Sequence, residues 1–213
     1  MGSFDKERAK NSQLFSQLAY EQNPNMVKVK LGLSKSGYRL DDNRSGAETK
    51  TFYNPTTKDA VMAFRGTDLS DKKRRMKDVY SDLHIAAGTQ RKDKRFKQSN
   101  KRFRAMAADD KYKDYKLNVT GHSLGGSLTD FVAKKNEDLV NTAYAFSRGA
   151  GPAEAHRLKA KATVDFSNRY DPVSHYARVQ NMNLAQNKQQ AMQHVNKGFH
   201  LNPLKAHNIV HAL

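Results

Sequence analysis

The chain has 213 residues, which is the size of a single domain with a sizeable core, so we predict one domain over residues 1–213. Only 37% of the residues are hydrophobic and the mean hydropathy is −0.88, so much of the surface must be polar. The absence of cysteine excludes disulfide partners and thiolate metal sites, and a formal charge of +17 favours contact with polyanions.

No targeting or membrane segment is visible in the sequence. Residues 1–6 contain no apolar core of a signal peptide, and no apolar run approaches the ~18 residues of a membrane span. We therefore expect a soluble protein that is located in the cytoplasm or in an intracellular particle.

The first third of the chain contains helical and extended patterns. Apolar residues recur at helical spacing over 5–20, and the turn residues at 23–25 end this predicted helix. Between 27 and 31, apolar residues alternate with lysines, which is typical of a strand. The apolar runs at 49–53 and 60–64 flank a turn cluster and predict a β-hairpin, and the second run has the composition of a strand buried on both faces.

A basic region follows the hairpin. Residues 71–80 are rich in lysine and arginine, a short strand is expected at 79–85, and residues 91–108 predict a helix with a narrow apolar stripe. The other faces of this helix carry basic side chains, which bind phosphate groups electrostatically. A contact with nucleic acid or with an anionic membrane is assigned to Arg91, Lys94, Arg95 and Arg102.

The strongest motif lies at residues 116–126. A short alternating strand leads into Gly121-His122-Ser123-Leu124-Gly125, and apolar residues at helical spacing follow. This order of strand, tight turn and helix is typical of a nucleophilic serine, because glycines relieve the crowding between strand and helix. The helix start would bring backbone N–H groups to Ser123. The alternative is a glycine-rich helix start that Ser123 caps.

Strands and helices alternate towards the end of the chain. Strands are predicted at 142–146 and 162–166, the second being the last, with a short helix at 153–162. Residues 177–197 have the composition of a mobile, partly helical loop. The alternation predicts an α/β fold in which helices flank a central, mostly parallel sheet.

A nucleophilic serine needs a base and a carboxylate that orients the base. Asp171 is preferred as the carboxylate because active-site groups follow the C-terminal ends of strands, and Asp165 is the alternative within the strand. His207 opens a short apolar run and is the preferred base, with His211 as the alternative. No further ligand accompanies these histidines at metal-binding spacing, so we predict neither a metal nor a cofactor.

The chain resembles the class 3 lipases, an α/β-hydrolase family that includes the fungal triacylglycerol lipases. The resemblance runs from about residue 45 to the end and is carried, in order, by Phe64-Arg65-Gly66-Thr67, Gly121-His122-Ser123-Leu124-Gly125-Gly126, Asp171-Pro172-Val173 and His207. It implies that Ser123 is the nucleophile, His207 the general base and Asp171 its orienting carboxylate. It also implies an oxyanion hole formed by Thr67 and the backbone N–H of Leu124, although residues 65–67 alone indicate only an ordinary turn at a strand end.

The expected activity is hydrolysis of carboxylic esters of acylglycerols or phospholipids by a Ser-His-Asp triad. The alternative is a basic polyanion-binding protein, for nucleic acid or an anionic membrane, on an inactive hydrolase scaffold. A phospholipase that is held to an anionic membrane by its basic face would combine the two. Neither 68–90 nor 177–197 has the sequence of a long apolar flap, so we expect no marked interfacial activation.

Overall fold

One seven-stranded sheet, with helices on both faces, organises the described part of the chain. The computed structural model describes residues 6–66, 94–150, 160, 162–167 and 174, together with the backbone of 168 and 192–195. Its α-helices are α1 (Lys6–Leu18), α2 (Pro24–Ser34), α3 (Lys94–Ala107) and α4 (Leu124–Lys135). Its strands are β1 (Arg39–Leu40), β2 (Thr49–Asn54), β3 (Asp59–Phe64), β4 (Lys116–His122), β5 (Val140–Phe146), β6 (Thr163–Asn168) and β7 (Met192–Val195).

The strands lie in the sheet in chain order, from β1 at one edge to β7 at the other. The first three are antiparallel, and each strand from β4 to β7 is parallel to the one before it. The predicted hairpin is confirmed as β2 and β3, whose register pairs Thr49 with Phe64. The predicted α/β fold with a central, mostly parallel sheet is confirmed as well.

Different helices cover the two faces of the sheet. On one face, α3 and α4 pack against β3 and β4 through a core that includes Phe96, Phe103 and Leu128. On the other face, Phe15 of α1 stacks on Phe52 of β2 with the ring centroids 4.6 Å apart. Because β3 is covered on both faces, all of its residues are buried, as its uninterrupted apolar run predicted.

The helices predicted at 5–20 and 91–108 are confirmed as α1 and α3 over their described parts. The apolar stripe of α3 is buried, with Phe96, Phe103 and Met106 each no more than 1% exposed. No helix in the described ranges is long and apolar enough to cross a bilayer.

The strand expected from the alternation of apolar residues and lysines is wrong, because this segment forms α2. Asn23 caps the helix by accepting a backbone N–H two residues on at 3.0 Å. Pro24 lies in the first turn, where its missing N–H is not needed. Val27 and Leu31 are one helical turn apart and buried, whereas Val29 between them is 54% exposed. Over so few residues, alternation and helical spacing share the same apolar positions, and the cap favours the helix.

The strand β7 lies within residues 177–197, where we expected a polar, partly helical loop. It pairs in parallel with β6, so the strand predicted at 162–166 is not the last one. Four residues are too few for a hydrophobic period to be recognised. The strand predicted at 79–85 and the helix predicted at 153–162 fall largely outside the described residues.

Candidate active site

Ser123 stands on a strained turn between β4 and α4. Its φ of 58° and ψ of −123° are values that side chains of L-residues rarely adopt. The turn is fixed by hydrogen bonds, because the Ser123 N–H donates to the carbonyl of Phe146 at 3.0 Å. The Ser123 carbonyl accepts the N–H groups of Gly126 at 2.9 Å and Ser127 at 3.2 Å. The predicted strand, tight turn and helix are therefore all present around this serine.

The alternative interpretation of Ser123 as a helix cap does not fit this geometry. A capping serine has extended backbone angles and accepts an N–H of the first turn with its side chain. Ser123 has a positive φ, and its side chain makes no capping hydrogen bond. The residue precedes α4 without using its hydroxyl group to stabilise the helix end.

Two glycines of the motif are required by close backbone contacts. A Cβ atom on Gly121 would overlap the carbonyl oxygen of Gly125. A Cβ atom on Gly125 would overlap the carbonyl oxygen of Phe64, the last residue of β3. The start of α4 therefore rests directly on the ends of β3 and β4, which confirms the crowding that the glycines of the motif indicated.

Leu124 is the first residue of α4 and is 8% exposed. The first N–H groups of an α-helix have no partner within the helix, and the positive end of the helix dipole lies beside them. The backbone N–H of Leu124 directly follows Ser123 in the chain and lies at this positive end of the helix.

The carboxyl ends of the parallel strands share one edge of the sheet. Along this edge lie the ends of β3, β4, β6 and β7, at Phe64, His122, Asn168 and Val195. In α/β sheets, ligands bind outside this edge. In the sequence, the predicted oxyanion, nucleophile, carboxylate and base residues follow these four ends in the same order.

The structure describes Ser123 and Leu124 of the predicted site. Thr67, Asp171 and His207 lie outside the described residues, and their roles stay predictions. The alternative base His211 lies outside them too, as do the stretches in which we expected no apolar flap, apart from β7.

The alternative carboxylate, Asp165, is engaged in a buried ion pair. Its two oxygens accept Nε and Nη2 of Arg148 at 2.9 and 3.1 Å, and the two side chains are only 2–3% exposed. Nη1 of Arg148 lies 3.7 Å from Oδ2 of Asp130 in α4. Loss of one partner from such a pair leaves a buried charge uncompensated. Asp165 therefore compensates the buried charge of Arg148. Sequence reasoning missed Arg148, whose one signal is an arginine in an otherwise small and apolar segment after β5.

Tyr20, to which we assigned no role from the sequence, lies against the tight turn at residues 121–125 that carries Ser123, which we call the elbow. Its hydroxyl group is 3.1 Å from Nδ1 of His122, the residue before the nucleophile. A Cβ atom on Gly66 would overlap both this hydroxyl group and the carbonyl oxygen of His122. The turn after α1, the segment after β3 and the elbow therefore meet at Gly66.

Two of the four residues that we predicted to bind anions contact other side chains of the protein, although Arg102 is exposed. Arg95 pairs with Glu48 at 2.7 Å, and Arg102 donates to Oγ1 of Thr49 at 2.9 Å. Lys94 is exposed, and Arg91 lies outside the described residues. The face of α3 opposite its buried stripe is formed by exposed basic residues, Lys94, Lys97, Lys101 and Arg104. Among the described residues, no group of three or more candidate ligands could hold a metal ion.

Comparison with known proteins identifies the family. The family model "Lipase (class 3)" matches residues 61–181, more than half of the chain. The fold is similar to that of the Lip2 lipase from Yarrowia lipolytica, with a TM-score of 0.54 and 14% identity over 95% of this chain and 84% of that chain. It is also similar to a fungal lipase in an inhibitor complex, with a TM-score of 0.51 and 16% identity over 79% and 72% of the two chains. No curated protein matches the sequence. The chain belongs to the class 3 lipase family of carboxylic ester hydrolases.

Proposed function

We propose that this chain hydrolyses carboxylic esters of lipids, acylglycerols or phospholipids, with Ser123 as the nucleophile. The strained turn at Ser123 carries the proposal, since its φ is 58° at the C-terminal end of a central parallel strand. Backbone strain of this kind costs ~1–3 kcal/mol and persists mainly where function requires it. Here it presents a serine side chain beside the N-terminus of α4.

The reaction follows from the roles of five groups. Oγ of Ser123 attacks the ester carbonyl while His207 accepts its proton, and Asp171 orients the imidazole and stabilises its positive charge. The negative charge on the tetrahedral intermediate is stabilised by Thr67 and by the backbone N–H of Leu124. His207 then protonates the leaving alcohol, and water hydrolyses the acyl-enzyme by the same route.

The order of the strands supports the assignment of the carboxylate and the base. Asp171 comes three residues after β6, and β6 is separated from β4 in the sheet only by β5. His207 follows β7, which is the next strand along the sheet. The ion pair between Asp165 and Arg148 also favours Asp171 as the orienting carboxylate. If Asp165 oriented the histidine instead, the buried charge of Arg148 would lose its compensation.

The contact between Gly125 and Phe64 supports the assignment of the oxyanion hole. The start of α4 lies against the end of β3, and Thr67 follows that end by three residues in the sequence. Leu124 precedes Gly125 in the chain. Both proposed donors, Thr67 and the N–H of Leu124, are therefore close in sequence to the contact between Phe64 and Gly125.

The basic face of α3 supports an anionic phospholipid surface as the place where the enzyme meets its substrate. Its four residues recur at helical spacing on one exposed side: Lys94, Lys97, Lys101 and Arg104. Each basic residue close to an anionic leaflet contributes ~1 kcal/mol to attachment. The described face has no aromatic side chain for base stacking, since Phe96 and Phe103 are buried, which favours lipid over nucleic acid.

Covalent labelling tests the proposed function. The protein is treated with a fluorophosphonate, the adduct is mapped by mass spectrometry, and hydrolysis of p-nitrophenyl butyrate is measured in parallel. We expect one adduct, on Ser123, and no hydrolysis by Ser123→Ala. An adduct elsewhere, or an active Ser123→Ala variant, would overturn the proposal. The base is assigned by comparing His207→Ala with His211→Ala, where loss of the true base lowers kcat by ~10³-fold or more.

A further inference from the structure

The backbone segment after β3 is held by a pair of side chains that we call the Glu48–Arg95 clamp. Nη2 of Arg95 donates to the carbonyl oxygen of Arg65 at 2.5 Å and lies 3.4 Å from that of Gly66. Glu48 accepts Arg95 on one carboxylate oxygen at 2.7 Å and Nη2 of Arg65 on the other at 2.8 Å. The clamp therefore joins α3 to the two residues that precede Thr67.

The chemistry of the clamp suits the end of a strand. Residues 65 and 66 follow the last residue of β3, so their carbonyl groups need donors from outside the sheet. A guanidinium group makes stronger hydrogen bonds to carbonyl oxygens than a neutral donor does. Glu48 lies between two guanidinium groups, those of Arg65 and Arg95, and offsets the repulsion that would otherwise separate them.

The same segment also lies against the elbow. Gly66 lies against the hydroxyl group of Tyr20 and the carbonyl oxygen of His122 so closely that no Cβ atom would fit. His122 precedes the nucleophile, and Thr67 follows Gly66. The clamp and the elbow therefore both fix the backbone of residues 65 and 66, the last two residues before Thr67, relative to the turn that carries Ser123.

We propose that Arg95, fixed by Glu48, is a positioning residue for the oxyanion hole. It holds the backbone of residues 65 and 66 against the elbow, and it acts on the tetrahedral intermediate formed on Ser123 through the hydroxyl group of the next residue, Thr67. This inference rests on the proposed function. Because the donors act on charge that develops in the transition state, the clamp governs turnover more than substrate binding.

Steady-state kinetics with p-nitrophenyl butyrate test the clamp. Displacement of an oxyanion donor by a fraction of an ångström lowers kcat by about 10–100-fold, which we expect for Arg95→Ala with KM within about twofold. Arg95→Lys and Glu48→Gln should give intermediate values, because each retains part of the hydrogen bonding. Arg39→Ala is the matched control, since Arg39 is exposed on β1 and lies level with Ala60, near the end of β3 opposite to this segment. Melting temperatures verify that each variant is folded at the assay temperature.

A double-mutant cycle separates positioning from a merely structural role. If Arg95 acts through Thr67, the kcat of the Thr67→Ala/Arg95→Ala variant equals that of Thr67→Ala within about threefold, because effects of residues that act as a unit are not additive. Independent multiplication of the two losses would overturn the inference. If Arg95→Ala does not fold, Arg95→Lys takes its place in the cycle, with the same two outcomes.

Failure of the inference is distinct from failure of the proposed function. If the wild-type protein does not react with a fluorophosphonate at Ser123, the proposed function falls. If the wild type reacts but folded Arg95→Ala retains the wild-type kcat, only the clamp inference falls. A loss that appears in KM alone, or equally in Arg39→Ala, overturns the clamp inference as well.

Discussion

The carbonyl oxygen of Phe64 occupies the place where a side chain on Gly125 would begin. Phe64 ends β3 and Gly125 lies in the first turn of α4, so the segment that leads to Thr67 and the helix that follows Ser123 meet at this point through backbone atoms. Backbone atoms cannot change rotamer to adjust to a change in spacing. The relative position of these two segments is therefore sensitive to a single added methyl group.

Gly125→Ala should disable the enzyme by moving α4 away from β3. Overpacking at a buried contact costs ~1–3 kcal/mol, and a shift of about 1 Å at the site lowers kcat by ~10²-fold. Gly32→Ala is the control, because Gly32 lies in α2 and a Cβ atom added there would meet no neighbouring group within 4 Å. It should raise stability by ~0.5–1 kcal/mol and leave kcat unchanged. Urea denaturation and esterase assays measure both, and an active Gly125→Ala variant would contradict the crowded elbow.

Ser123→Gly should be inactive but more stable than the wild type. Glycine adopts a φ of 58° without the strain that a β-carbon imposes, so removal of the side chain relieves ~1 kcal/mol or more. Ser123→Ala keeps the β-carbon and should be inactive without this gain. The midpoints of urea denaturation of the two variants are compared. If Ser123→Gly unfolds no later than Ser123→Ala, the turn is not the strained element that its backbone angles indicate.

Asp165→Asn and Asp171→Asn should have opposite effects on stability and turnover. Asp165→Asn removes the charge that compensates Arg148, which is 2% exposed, and should cost ~3–5 kcal/mol while kcat per folded molecule stays near the wild type. Asp171→Asn should lower kcat by ~10⁴-fold with little change in stability. Denaturation curves and active-site titration give the two quantities. The reverse pattern would make Asp165 the orienting carboxylate.

Much of this site could be predicted from the sequence, because its motifs are local. The strand, the turn and the helix around Ser123 are continuous in the chain, and so is the hairpin that ends at Phe64. Arg95 shows where local reasoning stops, because its pattern on α3 indicates a solvated cation. Its partner Glu48 is distant in sequence and becomes a neighbour only in the folded protein. The same limit applied to Arg148 and Asp165, whose ion pair joins the segment after β5 to β6.

The free energy of unfolding should decrease at acidic pH, in part because Asp41 becomes protonated. Burial alone would raise the pKa of Asp41, but hydrogen bonds from Lys111 at 2.6 Å and Tyr112 at 2.5 Å hold it below its ordinary value. A carboxyl group with a lowered pKa stabilises the folded state above the unfolded pKa of ~3.9, and this contribution is lost as pH falls through the folded value.

Asp41→Asn should therefore lower the free energy of unfolding at pH 7 by ~1.5–3 kcal/mol, as expected for hydrogen bonds to a charged group. The difference from the wild type should shrink as the pH falls from about 4 through the lower pKa of the folded state, at which the wild-type carboxyl group also becomes neutral. Urea denaturation at pH 7, 5 and 3 measures it. Asp42→Asn, an exposed neighbour, is the control. A difference that is constant with pH would mean that the charge of Asp41 contributes nothing.

Attachment to an anionic membrane should depend on the exposed face of α3. Lys94, Lys97 and Lys101 lie on one side of the helix and are exposed. Replacing all three with Gln should weaken binding to phosphatidylserine-containing vesicles by ~100-fold, since each contributes ~1 kcal/mol at an anionic leaflet. Vesicle sedimentation at low and physiological salt measures the affinity, and vesicles of phosphatidylcholine alone should bind weakly.

A second triple variant removes the same amount of charge from other surfaces. It distinguishes the effect of the α3 face on vesicle binding from the effect of the net charge of the protein. Lys6, Lys10 and Lys113 are exposed, and their replacement with Gln should change vesicle binding far less. The first two lie on α1, on the other face of the sheet, and Lys113 lies beyond the C-terminal end of α3. Net charge acts over the whole molecule, whereas a docking face acts through the residues within a Debye length of ~8 Å of the lipid at physiological salt. Equal losses in the two variants would remove α3 as the docking face. Tighter binding to duplex DNA than to vesicles, lost in the α3 variant, would identify nucleic acid rather than lipid as the partner of this face.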